Sequence, residues 1–239
     1  MNTQNLKLSC LSLLTSVLII GCNDNDNSTN DGVVIPAAPV PVNYQYEVTV
    51  TNLTAGQPVS PVAVLLHNGD TIWTIGEPAS LSLETLAESG DNSSLIAEAF
   101  VTSGVSGSGP IMPGNSEAIT VSVEDNAPTN ISVVTMLVNT NDAFSGLNAT
   151  SIANLAVGES IFLRTGSYDA GTEKNTEVAE YIPGPAGGGE GFNSMRDDVD
   201  FVAMHAGVVS NEDGLTNSAL SSAHRFDNPT LAITIMRVE

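Results

Sequence analysis

From residue 44 onward, apolar side chains recur at every second position or in short unbroken runs, the two signatures of β-strands. In "YQYEVTVTNL" the residues Tyr44, Tyr46, Val48 and Val50 share one face. "AITVSVE" alternates in the same way, and "ISVVTMLV" is a near-continuous apolar run suited to a strand covered on both faces. "SIFLRT" and "TLAITIMRV" complete the clear strands, with "VAVLL" and "VDFVAM" as weaker candidates. "DTIWTIG" alternates as a strand would, which makes Trp73 an anchor of the core rather than a binding platform.

One segment breaks the period of two. In "ASLSLETLAESGD" the residues Leu83, Leu86 and Ala87 share a helical face, Ser80 or Ser82 can cap its start, and Gly90 can end it. Short strands separated by Gly, Asn and Pro turns, with one small helix, predict an all-β fold, an antiparallel β-sandwich. "YIPGPAGGGEGFNSM", residues 181–195, has neither a regular pattern nor the glycine spacing of a nucleotide-binding turn, and reads as a long loop.

The N-terminal segment follows a different plan. "MNTQNLKLSCLSLLTSVLIIGC" carries one basic residue, Lys7, before an apolar run that ends at a small residue and a cysteine, as in a secretory signal. The run from Leu11 to Ile20 is too short to span a bilayer comfortably. "LIIGC" resembles the bacterial lipobox, which implies a signal peptide over residues 1–21 and lipidation of Cys22. Asn23 stands where an aspartate would be associated with retention in the inner membrane. The resemblance therefore implies an outer-membrane lipoprotein, facing the periplasm or the exterior and held to the membrane by its lipid. Residues 22–43 mix an Asn/Asp tract with a Pro/Ala/Val tract and read as a disordered tether, leaving residues 44–239 as one domain.

Charge narrows the choice of partners. The chain holds 27 acids against six Lys and Arg, a formal charge of −21. Loss of Lys7 with the signal would bring it near −22. A nucleic-acid backbone is excluded as partner, because binding it needs clustered basic side chains. Divalent cations and basic partners fit. Cys10 lies in the signal, so Cys22 would be the sole cysteine of the processed chain and no internal disulfide could form.

Candidate chemistry concentrates in "SYDAGTEKNTE", residues 167–177, directly after a strand-like run. Asp169 and Glu173 sit four apart around Ala170, Gly171 and Thr172, and a glycine there lets the chain fold back so that both carboxylates converge. Ca²⁺ takes about six to eight oxygen ligands and suits such a loop. Asp-x-Gly-Thr is equally ordinary turn chemistry, and a third acid would have to come from a neighbouring loop. Asn175, Glu177 and the Asn141 carbonyl are further oxygen donors. Asp197, Asp198 and Asp200 of "RDDVD" form either a second cation patch or a solvated strand edge. His67, His205 and His224 occur in no zinc-binding motif, and "GVSGSG" lacks the spacing of a nucleophile elbow. His67 reads as a strand-end residue with a satisfied hydrogen bond.

Residues 60–95, "SPVAVLLHNGDTIWTIGEPASLSLETLAESGDNSSL", place Ser-Pro, His67, Trp73, Ser80, Ala87-Glu88 and Gly90 in series. "SVVTMLVNTNDAFSGLN" follows with an acid, an aromatic and Gly146, then "YDAGTE", then "LAITIMRV". In this order the motifs resemble the spondin N-terminal domain, the F-spondin and mindin type, across nearly all of residues 44–239. Cysteines and a second Trp of the animal members are absent, and the segment from Tyr181 to Phe226 is longer. The resemblance implies an eight-stranded antiparallel sandwich, similar to calcium-dependent membrane-binding domains, that binds Ca²⁺ and adheres to partners without catalysis. Carried over residue by residue, it implies Asp142, Asp169 and Glu173 as calcium ligands. The expected function is an envelope-anchored, calcium-binding adhesion or binding module for an extracellular or envelope protein or glycan. The alternatives are a structural envelope lipoprotein with no calcium role, or a hydrolase.

Overall fold

A computed structural model describes residues 39–69 and 71–239. The expected signal peptide, the lipidation site Cys22 and most of the expected tether lie outside the described residues. Regular structure begins with β1 at Asn43, and the backbones of Val42 and Asp125 exchange a hydrogen bond just ahead of it, slightly earlier than the expected start at Tyr44.

The strands are β1 (Asn43–Asn52), β2 (Ala63–His67), β3 (Val101–Ser106), β4 (Ser116–Glu124), β5 (Asn130–Met136) and β6 (Ala143–Ser151). β7 (Ser160–Thr165), β8 (Ser167–Asp169), β9 (Ala203–Met204) and β10 (Leu231–Arg237) follow. The helices are α1 (Leu81–Ser89) and the single turn α2 (Ser93–Ile96). The ten strands form two antiparallel sheets, one ordered β4-β1-β10-β7 and the other β3-β2-β5-β6-β8-β9. The fold is an all-β sandwich. The additional strands are short or polar: β3 reads "VTSGVS", and β8 and β9 hold three and two residues.

The period-two pattern works as expected in β1, where Tyr46, Val48 and Val50 are buried and their neighbours half-buried. These residues meet Ile119, Val121, Ile233 and Ile235 from their own sheet and Val64, Leu66, Ile131 and Val133 from the other, forming the core between the sheets. β5 is covered on both faces. Val134 and Met136 turn outward into a second core with Ala63, Leu65, Phe144, Trp73 and the α1 residues Leu83, Leu86 and Ala87. Each such fully buried side chain stabilises the fold by about 1.5–3 kcal/mol.

α1 starts and stops as its sequence predicts. The Ser80 hydroxyl accepts from the Leu83 amide at 3.2 Å, and Gly90, at φ 74°, returns its amide to the Leu86 carbonyl. Trp73 is a core anchor, its ring edge-on to Phe144 at 5.1 Å. Residues 71–76 of "DTIWTIG", however, form a loop: the Asn148 side chain accepts from the Ile72 amide and donates to the Trp73 carbonyl, in place of a strand ladder. His67 ends β2 with its ring nitrogen 2.9 Å from the Ser132 hydroxyl. Residues 181–226 form a long irregular crossing gathered around Ile182, Val208 and Leu220, with "VDFVAM" contributing only β9.

Candidate functional site

The expected ligands are brought to one end of the six-stranded sheet by strand register. Ala143, the first residue of β6, pairs with Asp169, the last residue of β8. Asp142 therefore precedes one strand where Asp169 ends the other. The turn before β6 is locked by Thr140, whose hydroxyl donates to the Leu137 carbonyl at 2.6 Å and accepts from the Ala143 amide at 3.1 Å.

Past Asp169 the chain folds back through Gly171, at φ 71°. A Cβ at this position would lie 2.2 Å from the Phe201 carbonyl oxygen, so both conformation and space demand glycine. The Gly171 and Thr172 carbonyls accept from the Asp200 and Asp197 amides, at 2.8 and 3.0 Å. The "RDDVD" segment thus forms a strap over the acidic loop.

The three acids are held as a connected group. Asp142 is fully buried, and its Oδ2 accepts from the Thr172 amide (2.9 Å), the Thr172 hydroxyl (3.2 Å) and the Glu173 amide (3.1 Å). Its Oδ1 accepts from Asn141 Nδ2, which also donates to the Glu173 carbonyl at 2.7 Å. Asp169 Oδ1 accepts from the Gly171 amide at 2.8 Å and Oδ2 from Asn175 Nδ2 at 2.7 Å. Glu173 is 5 % exposed. It lines a cavity of about 170 Å³ with Lys174, Thr176, Tyr181, Asn193, Met195 and Asp197.

Electrostatically the site is a concentration of negative charge. Burial, reinforced by the Asp169 charge, raises Asp142 to about 7 even though the Glu173 and Thr172 hydrogen bonds favour its ionised form. Burial raises Glu173 to about 8, followed by repulsion from Glu88, Asp142, Glu190 and Asp197. The nearby cations are paired with other acids: Lys174 with Asp197 at 3.2 Å, at the rim of the same cavity, and Arg196 with Glu84 at 2.5 Å and Asp200 at 2.6 Å.

Among the described residues, no three His, Cys, Asp or Glu side chains are arranged as a ready set of metal ligands. The acids are gathered, but a shared ion would require their side chains to close further.

The other candidates separate. Asn175 orients Asp169. Glu177 is buried in the left-handed region at φ 59°, with Oε1 accepting from the Val209 amide at 3.1 Å and Oε2 meeting no donor. Asp197 and Asp200 are exposed and ion-paired, while Asp198 is raised by partial burial and the Asp169 charge. The "RDDVD" acids lie in a loop, not on a strand edge. His205 accepts from the Gly207 amide through Nδ1 at 2.9 Å, so its neutral ring carries the proton on Nε2 and offers no lone pair to a metal there. His224 accepts through Nδ1 from the Ser221 amide.

A further buried acid whose charge acts on Glu173, Glu88, is marked by no ligand motif in the sequence. It belongs to the last turn of α1 and is 1 % exposed. Glu84 and Glu88, four apart, resemble a solvated helix face. The signal against that reading is position, since an acid at a helix C-terminus faces the negative end of the dipole. Comparison of the chain with models of known protein families gives no match, and comparison with curated proteins gives none.

Proposed function

We propose that this chain is a non-catalytic binding module that takes up Ca²⁺ between the β5–β6 turn and the loop after β8, using Asp142, Asp169 and Glu173. The observation that carries this reading is the burial of all three carboxylates at one place, where the neighbouring cation, Lys174, is exposed and paired with Asp197 rather than with any of them. Like charges gathered out of water repel, and a doubly positive ion reverses the sign of that energy. Oxygen donors from an irregular loop suit Ca²⁺, which accepts variable geometry, better than Mg²⁺. Ion uptake would draw the carboxylates together and stiffen the loop and its strap.

On the sequence resemblance to the lipobox and the spondin N-terminal domain, the module would be held at the outer membrane through Cys22. It would present this end to an extracellular or envelope protein or glycan. The test is thermal unfolding of the full-length chain in EDTA and in millimolar Ca²⁺. A marked rise in Tm with Ca²⁺, abolished by Asp169→Ala, supports the reading. The four donors on Asp142 favour a second reading, in which this residue is only a loop anchor and the protein a structural lipoprotein; that reading requires no Tm shift with Ca²⁺.

A further inference from the structure

We infer that Glu88 is an additional ligand of this cation site, closing it from the side of helix α1. The inference rests on the calcium reading above and adds a residue from an element that neither acidic loop contains.

Glu88 stands where the fold gives its charge little support. It is 1 % exposed and sits in the last turn of α1, which carries no basic residue. Burial and the helix dipole both oppose an ionised carboxylate there. Its Oε2 accepts from the Asn193 amide at 2.8 Å, but its Oε1 is buried without a hydrogen-bond partner. The Thr172 side chain lies beside it. That hydroxyl has one proton, and it is directed at Asp142 Oδ2.

The open oxygen belongs to the same place as the other acids. Asn193, which holds Glu88, lines the cavity that Glu173 also lines. Of the charges acting on Glu173, that of Glu88 is the strongest, ahead of Asp142. Thr172, whose hydroxyl and amide both bond Asp142, stands near Glu88 as well. A buried carboxylate with an open oxygen, its other oxygen held by a residue that lines the same cavity as Glu173, is a group that a hard divalent cation drawn into that cavity would engage as the acids close on it. The acids offer only oxygen, and Glu88 stands on a helix whereas Asp142 and Glu173 stand on loops.

Calorimetric titration of the full-length chain with CaCl₂ tests this, with unfolding in EDTA recorded for each variant. Glu88→Gln keeps shape and acceptor but removes the charge. It is expected to weaken Ca²⁺ binding about tenfold or more, since affinity follows ligand charge. Its Tm in EDTA should hold or rise, because a disfavoured buried charge is gone; a merely structural Glu88 would lower that Tm and leave affinity alone. Terbium emission excited through Tyr181, and lost in Tyr181→Phe, locates the ion in the cavity beside Glu173. Wild-type Ca²⁺ affinity in Glu88→Gln overturns the assignment while leaving the Asp142 and Asp169 site standing. Absence of Ca²⁺ binding by the wild-type chain overturns both. Should Glu88→Gln not fold, Glu88→Asp, which keeps the charge on a shorter arm, decides by the same measure: weakened binding supports the assignment and unchanged binding removes it.

Discussion

The carboxylate of Asp142 holds the backbone of Glu173, with Oδ2 accepting from its amide at 3.1 Å. One candidate ligand thus sets the position of another, and anything that pulls on Asp142 moves the loop after β8. Asp142→Ala leaves the Thr172 amide, its hydroxyl and the Glu173 amide without their acceptor. A loss of about 1–3 kcal/mol per buried group left unsatisfied gives its scale. Asp142→Asn keeps an acceptor for the Thr172 and Glu173 donors but sets its own amide against Asn141 Nδ2, so in EDTA it should unfold between Asp142→Ala and wild type while losing any response to Ca²⁺. Calorimetric unfolding of both variants, with and without Ca²⁺, checks the pair of outcomes.

Acidity should stabilise the ion-free protein. Asp142 and Glu173 have folded-state values of about 7 and about 8, raised above their ordinary values of 3.8 and 4.5. The folded state therefore holds these protons more tightly than the unfolded chain does, and stability falls as pH rises from about 4 towards 8. Urea unfolding in EDTA should show a lower midpoint at pH 8.5 than at pH 5.5. Millimolar Ca²⁺ should remove most of the difference by replacing the protons.

Gly171→Ala tests the loop's geometry. A methyl group at φ 71° and 2.2 Å from the Phe201 carbonyl forces the loop and the 197–200 strap apart. The expected result is destabilisation of more than about 1 kcal/mol, the scale of a residue held in a disfavoured conformation. It should come with faster amide exchange at Asp200, whose amide bonds the Gly171 carbonyl.

Arg196 ties the strap to α1. It donates to Glu84, which is 2 % exposed, and to the Ala79 carbonyl. Arg196→Met strands the Glu84 charge in the interior and should cost about 3–5 kcal/mol. The double variant Arg196→Met, Glu84→Met replaces both partners by apolar groups and should recover most of it. Chemical denaturation of the single and double variants measures the difference.

The strands that bury one face were legible because alternation survives in sequence: β1, β4 and β10 read directly. β5 was legible for the opposite reason, its unbroken apolar run matching burial between two cores. β3 and β6 were not, since "VTSGVS" and the end of "AFSGLNATS" carry little apolar pattern and are strands because neighbours pair with them. "TIWTIG" misled in reverse: its alternation comes from the core-filling Ile72 and Trp73 on a loop held by Asn148. The gathering of Asp142 with Asp169 followed from motifs more than a dozen residues apart, joined by the Ala143–Asp169 register. Glu88 was missed because helical spacing reports which residues share a face, whereas the covering of that face by residues 190–197 is a long-range event.

β10 lies in the interior of its sheet, hydrogen-bonded to β1 on one side and β7 on the other. A chain emerging from the ribosome N-terminus first exposes β1 and β7 as bare edges until the residues around Leu231–Arg237 arrive to bridge them. Pairing of β1 with β7 through this sheet therefore waits on residues 231–237, and their removal would leave two bare strand edges open to other chains.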